Sequence, residues 1–472
     1  MKLRAYILAA CGIAGASSSA VGADLVEVYQ RALQNDPVIR EADANRLASR
    51  ESKPQALAAL LPQLSANGSY TTDNQEFTRV QPQPQDPDDV NSPVIPVNIK
   101  TESDTDGYQY RVELRQTLFR WDQWAALKRA DAEVAQAESD YQAAQQELIQ
   151  RTAQRYFDVL AAQDTVDAAQ ATLEAFSRQL EQADKRFEVG LIAITDVQEA
   201  RAAHDQAAAG VIQAKRALAT AHELLRELTG EPFDSLAAPV DDMALKTPQP
   251  ESEEQWVATA LEQNLRVISA RLATDIAKQD VRVARSGHLP AIDIVASRGE
   301  SDFGGTQVSA TVAGNPTASP ADQTQIDDSI GVQITVPIYS GGATSSRVRQ
   351  RVYLHRAARE RLERTARETE RATRDAYLGV ISEISRVRAL RQALESSRTA
   401  LQATEAGFEV GTRTTVDVLL SRRQLFEAQT EYSRSRYDYI LNVLQLQLAT
   451  GTLNGADLEE INELLEERPI SR

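Results

Sequence analysis

The residues best equipped for chemistry are few and scattered. The four histidines, His204, His222, His288 and His355, show no metal-ligand spacing. The lone cysteine, Cys11, can form neither an internal disulfide nor a Cys-based zinc site. No HExxH, GxSxG, GxxxxGKS or GxxxxGKT occurs, so the common zinc, nucleophile-elbow and nucleotide signatures are missing. Acids are plentiful, and a pair of carboxylates could in principle cleave a glycosidic bond. Two acids on a wet helix face are more simply a solvated surface, and no compact domain is left over to build a cleft. The reading is therefore of a protein that is not an enzyme and needs no cofactor or metal. The 68 Asp+Glu against 51 Lys+Arg give a net charge of −17 over 472 residues, which argues against a nucleic-acid partner. Aromatics at 5% and an abundance of Ala and Gln speak against a large conventional core.

The organisation around those residues is more telling. Lys2 and Arg4 precede a small apolar stretch that ends at Val21-Gly22-Ala23, which predicts an export signal over 1–23. Leu8-Ala9-Ala10-Cys11 also fits a lipoprotein signal, with Cys11 as the lipidated residue, although its apolar core is short. Beyond it the chain repeats itself. Arg186-Phe187-Glu188-Val189-Gly190 returns as Gly407-Phe408-Glu409-Val410-Gly411, Thr195-Asp196-Val197 as Val416-Asp417-Val418, and Leu228-Thr229-Gly230 as Ala449-Thr450-Gly451. All three pairs are offset by 221 positions, which marks an internal duplication.

Each copy must contain a long helical hairpin. No Gly or Pro interrupts Trp121 to Val189, and Val159, Val166, Leu173, Leu180 and Phe187 recur every seven residues. Val380, Val387, Leu394, Leu401 and Phe408 do the same in the second copy. Such a repeat keeps one narrow seam facing a neighbouring helix, as in a coiled coil. Gly190 and Gly411 place the hairpin tips.

Each copy also carries two strands with one apolar and one polar face. Leu64 to Thr71, Tyr108 to Arg115 and Ser329 to Ile338 alternate, and Ile292 to Arg298 does so weakly. Period two of this kind fits a sheet between lipid and water, and equally a soluble sheet with one buried face. The connections Thr72 to Asp106, rich in Pro and acid, and Ser301 to Asp328, rich in Gly, Ser and Thr, are expected to be solvated and irregular. Trp121 and Trp124 stand where strand gives way to helix, suited either to an interfacial belt or to packing at the junction. Four strands cannot close a membrane barrel, which starts at about eight. An open edge in hydrocarbon would leave N–H and C=O groups unpaired. If the sheet lies in lipid, several chains must share a barrel, and three copies would supply twelve strands.

The domain plan that follows is a signal at 1–23, a first repeat over 24–240, a linker at 241–254, a second repeat over 255–460 and a tail at 461–472. The first repeat has strands near 62–72 and 107–120 and a hairpin over 121–229; the second has strands near 289–300 and 328–339 and a hairpin over 343–450.

Taken together these features resemble the TolC family of outer-membrane channel-tunnels, the outer membrane factors. Val28-Tyr29-Gln30 with Asn35-Asp36-Pro37 resembles the family's N-terminal start. Phe187 to Val197 and Gly411 to Leu419 resemble its two hairpin tips, and Gly287-His288-Leu289-Pro290 and Ala449 to Asn454 also fit. The resemblance implies an α+β membrane protein. Its homotrimer would form a 12-stranded outer-membrane β-barrel, four strands per chain, continuous with a long periplasmic α-helical coiled-coil tunnel. It implies a passive duct for multidrug efflux and type I protein secretion, set in outer-membrane lipid. A periplasmic adaptor protein and an inner-membrane pump of the RND or ABC type would recruit it. It also implies a gate at the tips. Arg413 stands at the linking cation, with Thr195 and Asp196 as its partners; Gln179 and Glu405 match a second linking pair. Phe408 stands where the family often has a Tyr hydroxyl. Asp417 matches the first acid of the pore constriction, and Leu420 replaces the second. Asp196 and Asp417 also suit a plain helix N-terminus, where an acid meets the dipole, and Glu199 is a further candidate acid. The competing reading is a periplasmic coiled-coil adaptor, which should carry one hairpin rather than two.

Overall fold

The computed structural model describes residues 23–85, 88–89, 91–233, 235–240, 242–311 and 316–466. The expected signal, with Cys11, lies outside them except for Ala23. In chain order the elements are α1 (Leu25–Asn35), α2 (Pro37–Arg50), α3 (Ser52–Ala58), β1 (Gln63–Pro84), β2 (Val94–Phe119), α4 (Trp121–Glu188), α5 (Ile194–Thr229) and β3 (Ala238–Pro239). Then follow α6 (Glu253–Gln263), α7 (Leu265–Ser286), β4 (Ala291–Thr311), β5 (Thr317–Pro320), β6 (Gln323–Thr335), α8 (Ala343–Glu409), α9 (Thr415–Thr450), α10 (Gly455–Asn462) and β7 (Leu465–Glu466). The duplication is carried into the fold. Helices α5 and α9 are both 36 residues long, α4 and α8 are 68 and 67, and α1–α2 and α6–α7 break at Asp36 and Asn264 with nearly the same backbone angles. At ~1.5 Å per residue, α4 alone is about 100 Å long. Among the described residues no helix is long and apolar enough to cross a membrane.

The chain divides into two compact units, one holding 48–135 and 272–359 and the other the rest. The first contains the sheet, in the order β1-β2-β4 with β6, and beyond it the short β5, on the far side of β4. Every pairing is antiparallel. The strands of the two repeats therefore meet in the middle, and the outer edges of β1 and β6 have no partner among the described residues. Register sorts the faces. Leu64, Leu114, Ala296 and Ile330 share one, while Ser65, Glu113, Ser297 and Ser329 share the other. The apolar face is bare: Leu64 is 72% exposed, Ile330 81% and Val332 62%.

The strands reach further than the alternation indicates. The segments expected to be irregular are ladder: β1 runs to Pro84 and β2 starts at Val94, while β4 extends to Thr311. Prolines are tolerated there because β2 pairs with β4 only from Ile99 onward, so below that number both strands of the hairpin are edges. Pro82 faces Pro96 directly, where neither residue has an N–H to give. Trp121 and Trp124 are about half exposed, and Trp121 lines the cavity at the strand–helix junction.

The second unit has a larger apolar core than the composition suggests. Leu25, Val28, Tyr156, Phe157, Val380, Tyr437, Ile440, Leu444 and Leu458 are among its buried members. The Phe157 and Tyr437 rings stack at 5.6 Å, and the Tyr156 hydroxyl donates to the carbonyls of Ala237 (2.6 Å) and Ala23 (3.2 Å). The expected linker is pinned to the core: Met243 is buried, and the Tyr439 hydroxyl both accepts from the Lys246 N–H and donates to its carbonyl, each at 2.9 Å. The expected tail begins with the end of α10 and with β7, which pairs β3. The seven-residue seam is buried at Val159, Val166, Val380, Val387 and Leu394, and emerges toward the tips, where Phe187 is exposed.

Candidate functional site

The two hairpin tips are built alike. Gly190 and Gly411 have φ of 74° and 79°, a left-handed conformation that a side chain would strain. At the first tip the Leu191 N–H donates to the Arg186 carbonyl and the Gly190 N–H to that of Phe187. At the second, Thr412 donates to Gly407 and Gly411 to Phe408. This Schellman pattern satisfies carbonyls that the helix end would otherwise leave open.

The tips differ in how the next helix starts. Thr414 caps α9: its hydroxyl accepts from the Asp417 N–H, and the Asp417 carboxylate accepts from the Thr414 N–H at 2.9 Å, a complete capping box. These bonds hold the Asp417 carboxyl below its ordinary range, with Arg413 adding a smaller pull. The cap of α5 is Ala193, which has no hydroxyl to offer. Asp196, at the place of Asp417, makes no side-chain hydrogen bond or ion pair among the described residues. The side chains of Arg413 and Thr195 likewise make no hydrogen bond or ion pair among the described residues. Leu420, one turn beyond Asp417, is exposed.

The second expected pair is divided. Glu405 accepts from Arg422 of the same hairpin, at 3.1 Å from Nε and 2.7 Å from Nη2. Gln179 is buried, and among the described residues it shares no hydrogen bond with Glu405. Phe408 has a partner that sequence reasoning missed: Arg186 of the other hairpin lies over its ring, 4.8 Å from the centroid. The available signal was the single mismatch in the matched five-residue segments that end at Gly190 and Gly411, Arg186 against Gly407. At Gly407 a Cβ would stand 2.8 Å from Arg413 Cγ, so the glycine leaves room for that arginine to fold back. Arg413, Arg186 and Glu405 are charged groups on wet helix ends, able to link or repel neighbours. Among the described residues no cluster of His, Cys, Asp and Glu could hold a metal.

The profile of outer membrane efflux proteins matches residues 28–231 and 256–452, that is, both repeats. The chain belongs to the outer membrane efflux protein family. It is 36% identical to the outer membrane protein TolC of Escherichia coli K12 over 477 aligned positions, covering 100% of this chain and 90% of that one. It is 28% identical to the alkaline protease secretion protein AprF of Pseudomonas aeruginosa, covering 92% and 86%. Its fold is that of the CmeC outer membrane channel of Campylobacter jejuni, with a TM-score of 0.70, 16% identity and coverage of 99% and 98%. Membership places the chain in the outer membrane as an efflux and secretion duct, and the match to both repeats disfavours a single-hairpin adaptor.

Proposed function

We propose that three copies of this chain close a twelve-stranded barrel in the outer membrane, continuous with a periplasmic helical tunnel, and that the assembly is a passive exit duct. The observation that carries this is the sheet: two outer edges without partners among the described residues and a bare apolar face on the same four strands. Lipid accepts the apolar face but not the unpaired backbone, so each β6 edge must find the β1 edge of another copy. The order β1-β2-β4-β6 leaves these two edges running in opposite directions, and closure extends the antiparallel pattern. A membrane strand needs about 9–11 residues. β1 and β2, at 22 and 26, are long enough to continue past the bilayer.

The duct needs energy from elsewhere, since the chain carries no nucleotide-binding signature. Likeness to TolC and to a named protease secretion protein supports recruitment by a periplasmic adaptor and an inner-membrane pump, for both efflux and type I secretion. The tips form the gate in this reading. Asp196, Thr195 and Arg413 make links between helix pairs, Gln179, Glu405 and Phe408 contribute to them, and Asp417 faces the constriction. Cysteines placed on the polar face at Asn67 or Ser69 of β1 and at Gln325 or Asp327 of β6 test the assembly. Crosslinks should form only between copies, ending at a trimer on denaturing gels. Crosslinks within one chain, or a ladder beyond three, would refute the closure.

A further inference from the structure

Where the strands give way to helices, within the sheet-containing unit, lies an open cavity of about 740 Å³ lined by Arg120, Arg129, Arg347 and Arg351 against only two carboxylates, Asp122 and Asp280. We propose that this cavity binds a compact oxyanion carried in solution, a phosphate or a phosphate-bearing solute.

The arginines are unequally committed. Arg120 is held by Asp293 through Nε at 3.2 Å and Nη2 at 2.8 Å. Arg129 pairs with Glu133 at 3.1 Å as well as with Asp280 at 3.3 Å, and Arg351 meets the same Asp280 carboxylate at 3.0 Å. Arg347 is exposed and makes no ion pair or hydrogen bond among the described residues. It also stands early in α8, whose first turn has no acid. That is an unfavourable end of a helix for a cation unless an anion is near. A guanidinium presents paired donors that match the oxygens of phosphate, and the uncommitted charge of Arg347, at the rim of a recess whose other arginines are held in place by carboxylates, attracts such an anion more strongly than on an open surface.

Register tells which side the cavity opens on. Ala291 and Thr335, both in its wall, pair with each other, two residues along from the pair Asp293 and Gln333 and on the same face. That is the polar face, which also carries Ser297 and Ser329, hydrogen-bonded at 2.9 Å. Resting on the duct reading, this is the water-filled side, so the ligand is a solute rather than a lipid headgroup.

The test is titration of inorganic phosphate into the delipidated full-length assembly in non-ionic detergent, followed by phosphorus NMR linewidth at constant ionic strength. Saturable broadening is expected, and Arg347→Gln, which removes no ion pair or hydrogen bond among the described residues, should weaken binding about tenfold or more. Arg347→Lys should recover part of the loss, keeping the charge without the fork. Broadening that does not saturate, or that Arg347→Gln leaves alone, overturns the site. So does a phospholipid that survives delipidation of the wild type and is absent from Arg347→Gln. Because binding is read in detergent, it separates from the duct. Phosphate binding without bilayer current would sink the duct and keep the site, and normal current without binding would do the reverse.

Discussion

The guanidinium of Arg186 lies 4.8 Å above the centre of the Phe408 ring, so the last turn of α4 touches the last turn of α8 within a single chain. The two hairpins are thus tied at their tips by a contact that neither hairpin makes alone. A cation over an aromatic ring at an exposed site is worth about 0.5–1 kcal/mol. Arg186→Gln and Phe408→Leu should each speed amide hydrogen exchange at both tips, and the double variant should add little to either. Faster exchange at only the mutated tip would mean that the contact does not join them.

Arg413, Thr195 and Asp196 make no side-chain hydrogen bond or ion pair among the described residues, and Arg413's charge acts within the chain only through its weak pull on Asp417, which leaves these groups available to other helices. Any one exposed link contributes only about 0–1 kcal/mol, so single variants should change little. Arg413→Ala combined with Thr195→Ala should raise the resting conductance in planar bilayers, and Asp196→Asn should add to it. A current indistinguishable from wild type would remove these residues from the gate.

Asp417 offers a pH-dependent readout. Its carboxyl is held low by the Thr414 backbone and side chain, so the cap it forms is stabilising above the ordinary Asp value of about 3.9 and is lost as pH falls through the depressed value. Asp417→Asn should weaken block by multivalent cations. Thr414→Ala should move the loss of block to higher pH, because the proton then binds more readily. A midpoint that Thr414→Ala does not shift would show that the cap does not govern this charge.

Tyr156 is buried, and burial together with the nearby Asp24 raises its hydroxyl far above the usual tyrosine range, so it remains a donor throughout the accessible pH range. Tyr156→Phe leaves the carbonyls of Ala237 and Ala23 without that donor. The expected loss is about 1–3 kcal/mol, measured by urea denaturation under conditions that preserve the assembly. A change below a few tenths would mean that another donor takes its place.

The long helices and their tips were legible in the sequence because their signals are local. A gap-free run, a seven-residue seam and a glycine at each turn are all read along one stretch, and the offset of 221 carries over into matching helix ends at Glu188 and Glu409. The sheet was legible only where apolar and polar residues alternate. Between Tyr70 and Tyr108 the two strands are mostly polar, and the one alternating stretch, Ile95, Val97 and Ile99 against Pro96, Asn98 and Lys100, is masked by the prolines and acids around it, so the ladder that continues to Pro84 and Val94 was not read. The core of the second unit was hidden for a different reason. It joins Leu25, Tyr156, Val380 and Leu458 from distant parts of the chain, and their local apolar neighbours do not tell which distant segments they meet. At the tips, sequence placed Asp417 and Arg413 but not Arg186, whose partner lies 222 positions away. Nor did it find Arg422, which occupies Glu405.

The raw borders of the four-stranded sheet carry a kinetic consequence. A newly exported chain cannot wait safely alone, since the surfaces that let it meet two siblings would stick equally well to anything β-prone. Its maturation should therefore depend steeply on how many copies arrive together, with sparse expression yielding debris for proteases rather than a proportionally smaller number of finished pores.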